Sequence, residues 1–286
     1  MNEHFPATPS LSGTPLDGIK VADFSRVLAG PLTTMTLADL GAQVLKIERP
    51  GVGDDTRHWG PPWTTHSSSY FESVNRTKRS IGLDLKDPED LAVAREIAAE
   101  ADVVVENLKS GTMARLGLGY EDLAEANPGL VYCSITGFGS GEGASMAGYD
   151  FLVQAVGGLV SVTGAPDEPT KVGVAMVDIV TGLHAAVGLL AALRHRDATG
   201  EGQHVEVSLL SSLLSALVNQ PGAHVMTGAV PRGMGNRHPS LTPYEVFTTA
   251  DRPLAIAVGN ERQLARLADV LGHPEWADDP RYASNA

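Results

Sequence analysis

An aspartate, Asp178, stands at the head of the longest apolar helix pattern in the chain, DIVTGLHAAVGLLAALRHR (178–196). A side-chain oxygen there caps free backbone N–H groups, and the helix dipole favours its negative charge. The same place suits a nucleophile, because a carboxylate kept ionised by the helix end can form covalent acyl intermediates. Spacing alone does not choose between cap and nucleophile. Basic residues form a second set. Lys46 and Arg49 lie at the end of QVLKIE (43–48), and Arg57 lies in the turn-rich GVGDDTRHWGPP (51–62). Arg76, Lys78 and Arg79 sit at the start of SIGLDL (80–85), and Lys109 and Arg115 follow DVVVEN (102–107). If those runs are strands, the cations gather at sheet edges, where open α/β folds bind phosphate-bearing ligands. The alternative is a solvated rim of ordinary salt bridges.

Other chemistries lack their residues. No GxGxxG joins the first strand to its helix, GSGEG is not a phosphate-binding P-loop, and neither HExxH nor GxSxG occurs. The single cysteine, Cys133, removes internal disulfides and cysteine zinc clusters, and apolar VYCSI marks it as buried and inert. It fits a reducing compartment, so a cytoplasmic location is expected. His184, inside the apolar helix, reads as a satisfied core residue, and no metal site is expected.

The elements that must position these groups follow from the pattern. IKVADF (19–24), QVLKIE, SIGLDL, DVVVEN and LVYCSITGFG (130–139) alternate with helical segments at 31–41, 87–101 and 120–127. Strand, helix, strand in this order predicts an α/β fold with a Rossmann-like parallel sheet, its strands apolar on both faces. The glycine-rich stretch 137–148 is loop, residues 149–156 are helical, and the helix from 178 is expected to be buried all round. The expected division is a loose, disordered leader at 1–15, a large domain at 16–200, a linker at 201–231 and a smaller domain at 232–286. Hydrophobic residues make up 43% and charged residues 19%, which excludes disorder for the bulk of the 286 residues. Asp plus Glu number 34 against 21 Lys plus Arg, a formal charge of −13 that repels nucleic acid and anionic membranes. No unbroken apolar run long enough to span a bilayer is present, so no membrane partner is expected.

Read in order, VADFSRVLAGPLTTMTLADLGAQVLKIERPGVGDDTR, NRTKRSIGLDLK, VVVENLKSGTMARLGLGYEDLAEANPGLVYCSITGFG and GYDFLVQAVGGLVSVTG resemble the class III (CaiB/BaiF-type) CoA transferases. KVGVAMVDIVTGLHAAVGLLAAL, TGEGQHVEVSLL, GNRHPSLTPYEVFTTAD and IAVGNERQLARLADVLG continue the likeness from about residue 16 to the end. The resemblance implies a Rossmann-like large domain with a small domain, and a homodimer of interlocked chains. It implies that Asp178 attacks an acyl-CoA thioester, that an aspartyl-CoA thioester forms, and that CoA passes to a carboxylic acid. Coenzyme A thioester is then the substrate, and no cofactor is tightly bound. By the same likeness Arg49 and Arg115 contact the nucleotide end, Asn107 and Leu108 line the adenine or pantetheine path, and Lys109 lies beside it. Val27, Leu28 and Ala29 border the active site, Tyr149 and Asp150 form another wall, and Gly259 and Asn260 belong to a small-domain glycine loop.

Departures from the pattern carry their own expectations. Arg26, Leu28 and the short VGN differ from members that use formyl-CoA, so oxalate-type specificity is not expected. The related 2-methylacyl-CoA racemases place a His where Tyr149 stands, so GYDF and DIVTG favour transfer over removal of an α-proton. A racemase or epimerase remains the alternative enzyme. The likeness also implies that the chain lacks the C-terminal segment that completes the large domain, which leaves an inactive CoA-binding fragment as the non-enzymatic alternative.

Overall fold

The structure, a computed structural model, describes residues 4–5 and 13–284. The elements run β1 (Lys20–Asp23), α1 (Ala29–Asp39), β2 (Gln43–Glu48), α2 (Ser69–Ser73), β3 (Arg79–Gly82), α3 (Pro88–Glu100) and β4 (Val103–Glu106). There follow α4 (Thr112–Arg115), α5 (Tyr120–Ala124), β5 (Val131–Thr136), α6 (Asp150–Val156), α7 (Leu159–Val162) and the short strands β6 (Gly164–Ala165) and β7 (Glu168–Pro169). The chain continues as α8 (Met176–Thr199), β8 (Gln203–Ser208), α9 (Leu209–Ala216), α10 (Asn219–Thr227), β9 (Tyr244–Phe247), β10 (Leu254–Ala257) and α11 (Glu261–Val270).

Two compact units result, one of residues 1–157 with 174–218 and one of residues 158–173 with 219–286. The first holds a six-stranded sheet in the order β3-β2-β1-β4-β5-β8, parallel throughout. This is the α/β architecture that the strand and helix alternation predicts. β4 shows why: Val103, Val104 and Val105 are wholly buried, β-branched and apolar on both faces, as a central parallel strand requires. Each such side chain taken from water contributes roughly 1.5–3 kcal/mol. α3 begins where Asp87 accepts hydrogen bonds from the N–H groups of Glu89 (2.9 Å) and Asp90 (3.2 Å), with Pro88 at its first position.

Residues 201–231, expected from sequence to be a linker, supply β8 to the sheet edge and α9 to the first unit, and α10 to the second. Of the expected leader, residues 1–3 and 6–12 lie outside the described residues, while Phe5 is buried in the core with Lys20 5.6 Å over its ring. The second unit carries the antiparallel pairs β6–β7 and β9–β10, with α11 capped by the Asn260 side chain (3.0 Å from the Gln263 N–H).

α8 bears on several expectations. Its 24 residues reach a mean hydropathy of 1.8 over an 18-residue window, so by length and composition it is apolar enough to cross a bilayer, although no unbroken apolar run marks it. It is also not buried all round. Val177, Ala185, Ala186, Leu189, Ala192 and Leu193 face the core, packed on α1, β5 and β8, while Leu183 (48% exposed) and Val187 (66%) face outward. His184 lies on that exposed side rather than in the core, its Nδ1 3.1 Å from the Ser212 hydroxyl. Small residues let α8 cross α1 closely: Thr33 Oγ1 donates to the carbonyls of Ala29 (2.8 Å) and Gly182 (3.0 Å), and a Cβ on Gly182 would stand 2.8 Å from the Ala29 carbonyl oxygen. Gly182→Val is therefore expected to cost about 1–3 kcal/mol by overpacking, read from chemical denaturation. A variant as stable as the parent would show that the crossing has slack.

Candidate active site

The strand order reverses at β1, whose neighbours β2 and β4 lead the chain in opposite directions, and ligands of such sheets bind beyond the strand C-termini at that point. There the segments leaving β1, β4 and β5 enclose a cavity of about 450 Å³, within the range of small-molecule sites. Its walls are Arg26, Val27, Leu28 and Ala29 after β1, Asn107, Leu108, Lys109 and Ser110 after β4, and Thr136 to Gly139 after β5. Residues 144–149 and Asp178 close it. The glycine-rich stretch has a steric reason. A Cβ on Gly137 would lie 2.4 Å from the Gly148 Cα, so two backbone segments meet where no side chain fits.

Asp178 is not the N-cap of α8. Ala175 holds that place, Asp178 is the third helical residue, and the capping is done from another helix. Asp150, in the first turn of α6, accepts hydrogen bonds at Oδ2 from the N–H groups of Val177 (2.8 Å) and Asp178 (3.2 Å), while its Oδ1 accepts from Gln154 Nε2 (2.6 Å). The Asp178 carboxylate has no hydrogen-bond partner among the described residues, which leaves it free toward the cavity. Burial, and then the negative charge of Asp150, push its carboxyl up to about 7. The expectation that the helix end keeps it ionised is thus revised, because the donors that would do so are occupied by Asp150. Tyr70, on α2, faces the same pair: burial and then the charges of Asp178 and Asp150 push its hydroxyl up to about 12, so it stays a neutral donor. Nothing in the local sequence around Tyr70 signals this, since α2 is distant in the chain.

The cavity brings together seven of the residues that the sequence singled out besides Asp178: Val27, Leu28, Ala29, Asn107, Leu108, Lys109 and Tyr149, the last 61% exposed. Asn107 also braces the β1 loop, accepting from the Arg26 N–H (2.9 Å) and donating to the Arg26 carbonyl (2.7 Å). Arg49 lines a second cleft of about 220 Å³ with Leu83, Leu85 and Lys86, and Arg26 and Leu108 border both spaces. Arg115 lines neither; its Nη2 donates to Thr112 Oγ1 (3.0 Å). Gly259 and Asn260 lie in the second unit, where Asn260 caps α11. Sequence reasoning missed Arg26 and Asp55 as cavity residues; Asp55 pairs with Arg26 (3.6 Å) and Arg49.

Two of the cations expected at the rim are interior. Lys46 donates to the Ser25 carbonyl (2.7 Å) and pairs with buried Asp54 (3.1 Å), and Lys78 pairs with buried Asp23 (3.1 Å) while donating to the Pro31 carbonyl (2.8 Å). Burial alone would raise the Asp23 carboxyl, but Lys78 and Lys46 hold it below the usual range. Cys133 is fully buried, which pushes its thiol well up and away from reactivity.

The sequence model of CoA-transferase family III matches residues 16–286. The chain is 48% identical over 279 residues to a succinate–glutarate CoA-transferase of Agrobacterium fabrum, covering 95% of this chain and 70% of that protein. It is 44% identical to a succinyl-CoA:glutarate CoA-transferase of Mus musculus, covering 98% of this chain and 65% of the mouse protein. The crystal structure of a CaiB/BaiF family protein from Brucella suis superposes with a TM-score of 0.85 at 47% identity, covering 95% of this chain and 73% of that one. The chain belongs to CoA-transferase family III. It spans about two thirds of the length of the two curated relatives.

The Asp178 carboxyl carries a stability consequence. It ionises at its ordinary value of 3.8 when exposed and at about 7 in the fold, so the folded state holds an extra proton in between and loses stability as pH rises through that window. Asp178→Asn is expected to be more stable than the parent by up to about 4 kcal/mol at pH 8, with the gain vanishing below pH 4. Denaturation at both pH values measures it, and an equal gain at both would remove the carboxyl as its cause.

Proposed function

We propose that this chain transfers CoA from an acyl-CoA thioester to a carboxylic acid, with Asp178 as the nucleophile. The observation that carries the reading is a carboxylate without a hydrogen-bond partner among the described residues, at the wall of the switch-point cavity, held in place by Asp150 through the backbone of α8. In the first step an Asp178 oxygen attacks the thioester carbonyl, the C–S bond breaks, and CoA thiolate leaves a mixed anhydride of Asp178 and the acyl group. The thiolate then attacks the Asp178 carbonyl of that anhydride, releasing the donor acid and leaving an aspartyl-CoA thioester. The acceptor carboxylate attacks this thioester, and the expelled thiolate takes the acceptor acyl group from the second anhydride, restoring the Asp178 carboxylate. No net proton is consumed, which suits a site with one reactive carboxyl.

The nucleotide end of CoA fits the cleft of Arg49, Leu83 and Lys86, whose apolar wall and cations match an adenine and its phosphates, with the thioester arm passing Leu108 toward Asp178. Arg26 and Lys109 are cations lining the Asp178 cavity and suit an acceptor with a second carboxylate. A short dicarboxylate is accordingly the proposed acceptor, a class that the names of the relatives also contain. The exposed apolar face of Leu183, Val187, Leu214 and Val218 supports a homodimer. Racemisation needs two bases, and no histidine lines the cavity among the described residues.

Incubation with succinyl-CoA followed by mass spectrometry is expected to show a CoA adduct on the peptide holding Asp178, and Asp178→Asn to lower CoA exchange by about three orders of magnitude or more. Undiminished exchange in the variant, or solvent deuterium entering the α-carbon without exchange, refutes the reading. Because the nucleophile must be ionised, kcat/KM is expected to fall below a midpoint of about 7. Asp150→Asn removes the neighbouring negative charge and should move that midpoint to lower pH; a midpoint moving up would contradict the electrostatic cause.

A further inference from the structure

Val27 adopts φ 69, a left-handed backbone that a β-branched residue rarely takes. It does so at the cavity wall, one residue before Leu28, the residue that precedes α1. Strain at such a place persists only where its surroundings over-determine it. Here the backbone of residues 25–27 is held by side chains, most of them from other segments. The Val27 N–H donates to both oxygens of Asp54 (3.3 and 3.2 Å), and Asp54 is wholly buried and paired to Lys46 (3.1 Å). Lys46 Nζ donates to the Ser25 carbonyl (2.7 Å), Asp23 accepts from the Ser25 N–H (3.0 Å), and Asn107 holds both polar groups of the Arg26 backbone. Asp54 is itself fixed, since its Oδ1 accepts from the Thr56 N–H (3.0 Å) and its own N–H donates to Glu48 (2.8 Å). The Ala29 carbonyl that follows the turn lies against Gly182, one helical turn after Asp178 on α8.

We propose that Asp54 is a positioning residue: its buried carboxylate, anchored by Lys46, clamps Val27 in the left-handed conformation and so places residues 27–29 as the wall facing Asp178. The catalytic part rests on the proposed role of Asp178; the clamp itself does not. Asp54 touches neither reacting atom. Its effect passes through one N–H and the backbone behind it, so its loss should slow the chemical step more than it weakens substrate binding.

The test is a double-mutant cycle, with succinyl-CoA and glutarate as substrates. Asp54→Asn is expected to lower kcat by about tenfold or more with KM for succinyl-CoA changed less than about threefold. Glycine adopts a positive φ without strain, so in the Val27→Gly background the same Asp54→Asn change should cost less than about threefold. An equal loss in both backgrounds overturns the clamp as the reason for the effect. Amide hydrogen exchange across residues 25–29 is read in parallel and needs no turnover: it should quicken by about tenfold in Asp54→Asn, and an unchanged rate overturns the clamp. If the parent protein shows no CoA exchange, the proposed activity fails while the hydrogen-exchange arm still decides the clamp. Should Asp54→Asn not fold, Val27→Gly and Val27→Ala decide. At a strained positive φ the glycine variant melts higher, and the reverse order removes the strain.

Discussion

Asp150 accepts two hydrogen bonds from the first turn of α8, and the character of the site depends on that contact. A helix start leaves N–H groups without intrahelical partners, and an aspartate in the first turn would ordinarily be drawn to them. With Asp150 already there, supported by Gln154 from its own helix, the Asp178 carboxylate is neither bound by the helix end nor solvated as a surface group is. Burial, and then the negative charge of Asp150, raise the pKa of the carboxyl that has no hydrogen bonds. A carboxyl unbound by its own helix end therefore results from giving the cap to a neighbour.

A second constraint lies beneath the β1 loop. Asp23, Lys46, Asp54 and Lys78 are buried charges at the C-terminal side of the sheet, each matched by an opposite charge and by backbone groups. Such pairs add little net stability against an apolar core, yet removing one partner costs about 3–5 kcal/mol because the other charge remains buried. Their value here is directional. They reach the backbone of residues 25 and 27 in the loop and the Pro31 carbonyl in the first turn of α1, and so brace the loop from below. These contacts add to the packing of Val27 and Leu28 with Met35, Val74 and Tyr70.

Much of the fold was legible because its signals are local. β2 and β4 follow apolar runs of the right length, α3 follows its Asp-Pro start, and the glycine-rich stretch at 137–148 is loop apart from one short 3-10 turn at Glu142–Ser145. The site was legible only in part. Asp178 stands near a helix start that the pattern itself shows, while the residues after β1 and β4 were singled out through the family resemblance. Tyr70 and Asp55 carry no such mark, because they come near the cavity through the path of a connection whose shape no periodicity encodes. Lys46 and Lys78 show the converse, as a strand-edge cation looks the same in sequence whether it points to water or to a buried carboxylate.

What the linear order of residues determined by itself is therefore the parallel sheet and the family, since hydrophobic period, helix starts and ordered motifs are properties of neighbours along the chain. Only the tertiary structure decided that Asp150 caps α8, that Asp178 keeps a free carboxylate with a raised pKa, and that four charges are interior. Those outcomes depend on desolvation and on partners up to tens of residues away, and neither quantity exists until the chain has closed upon itself.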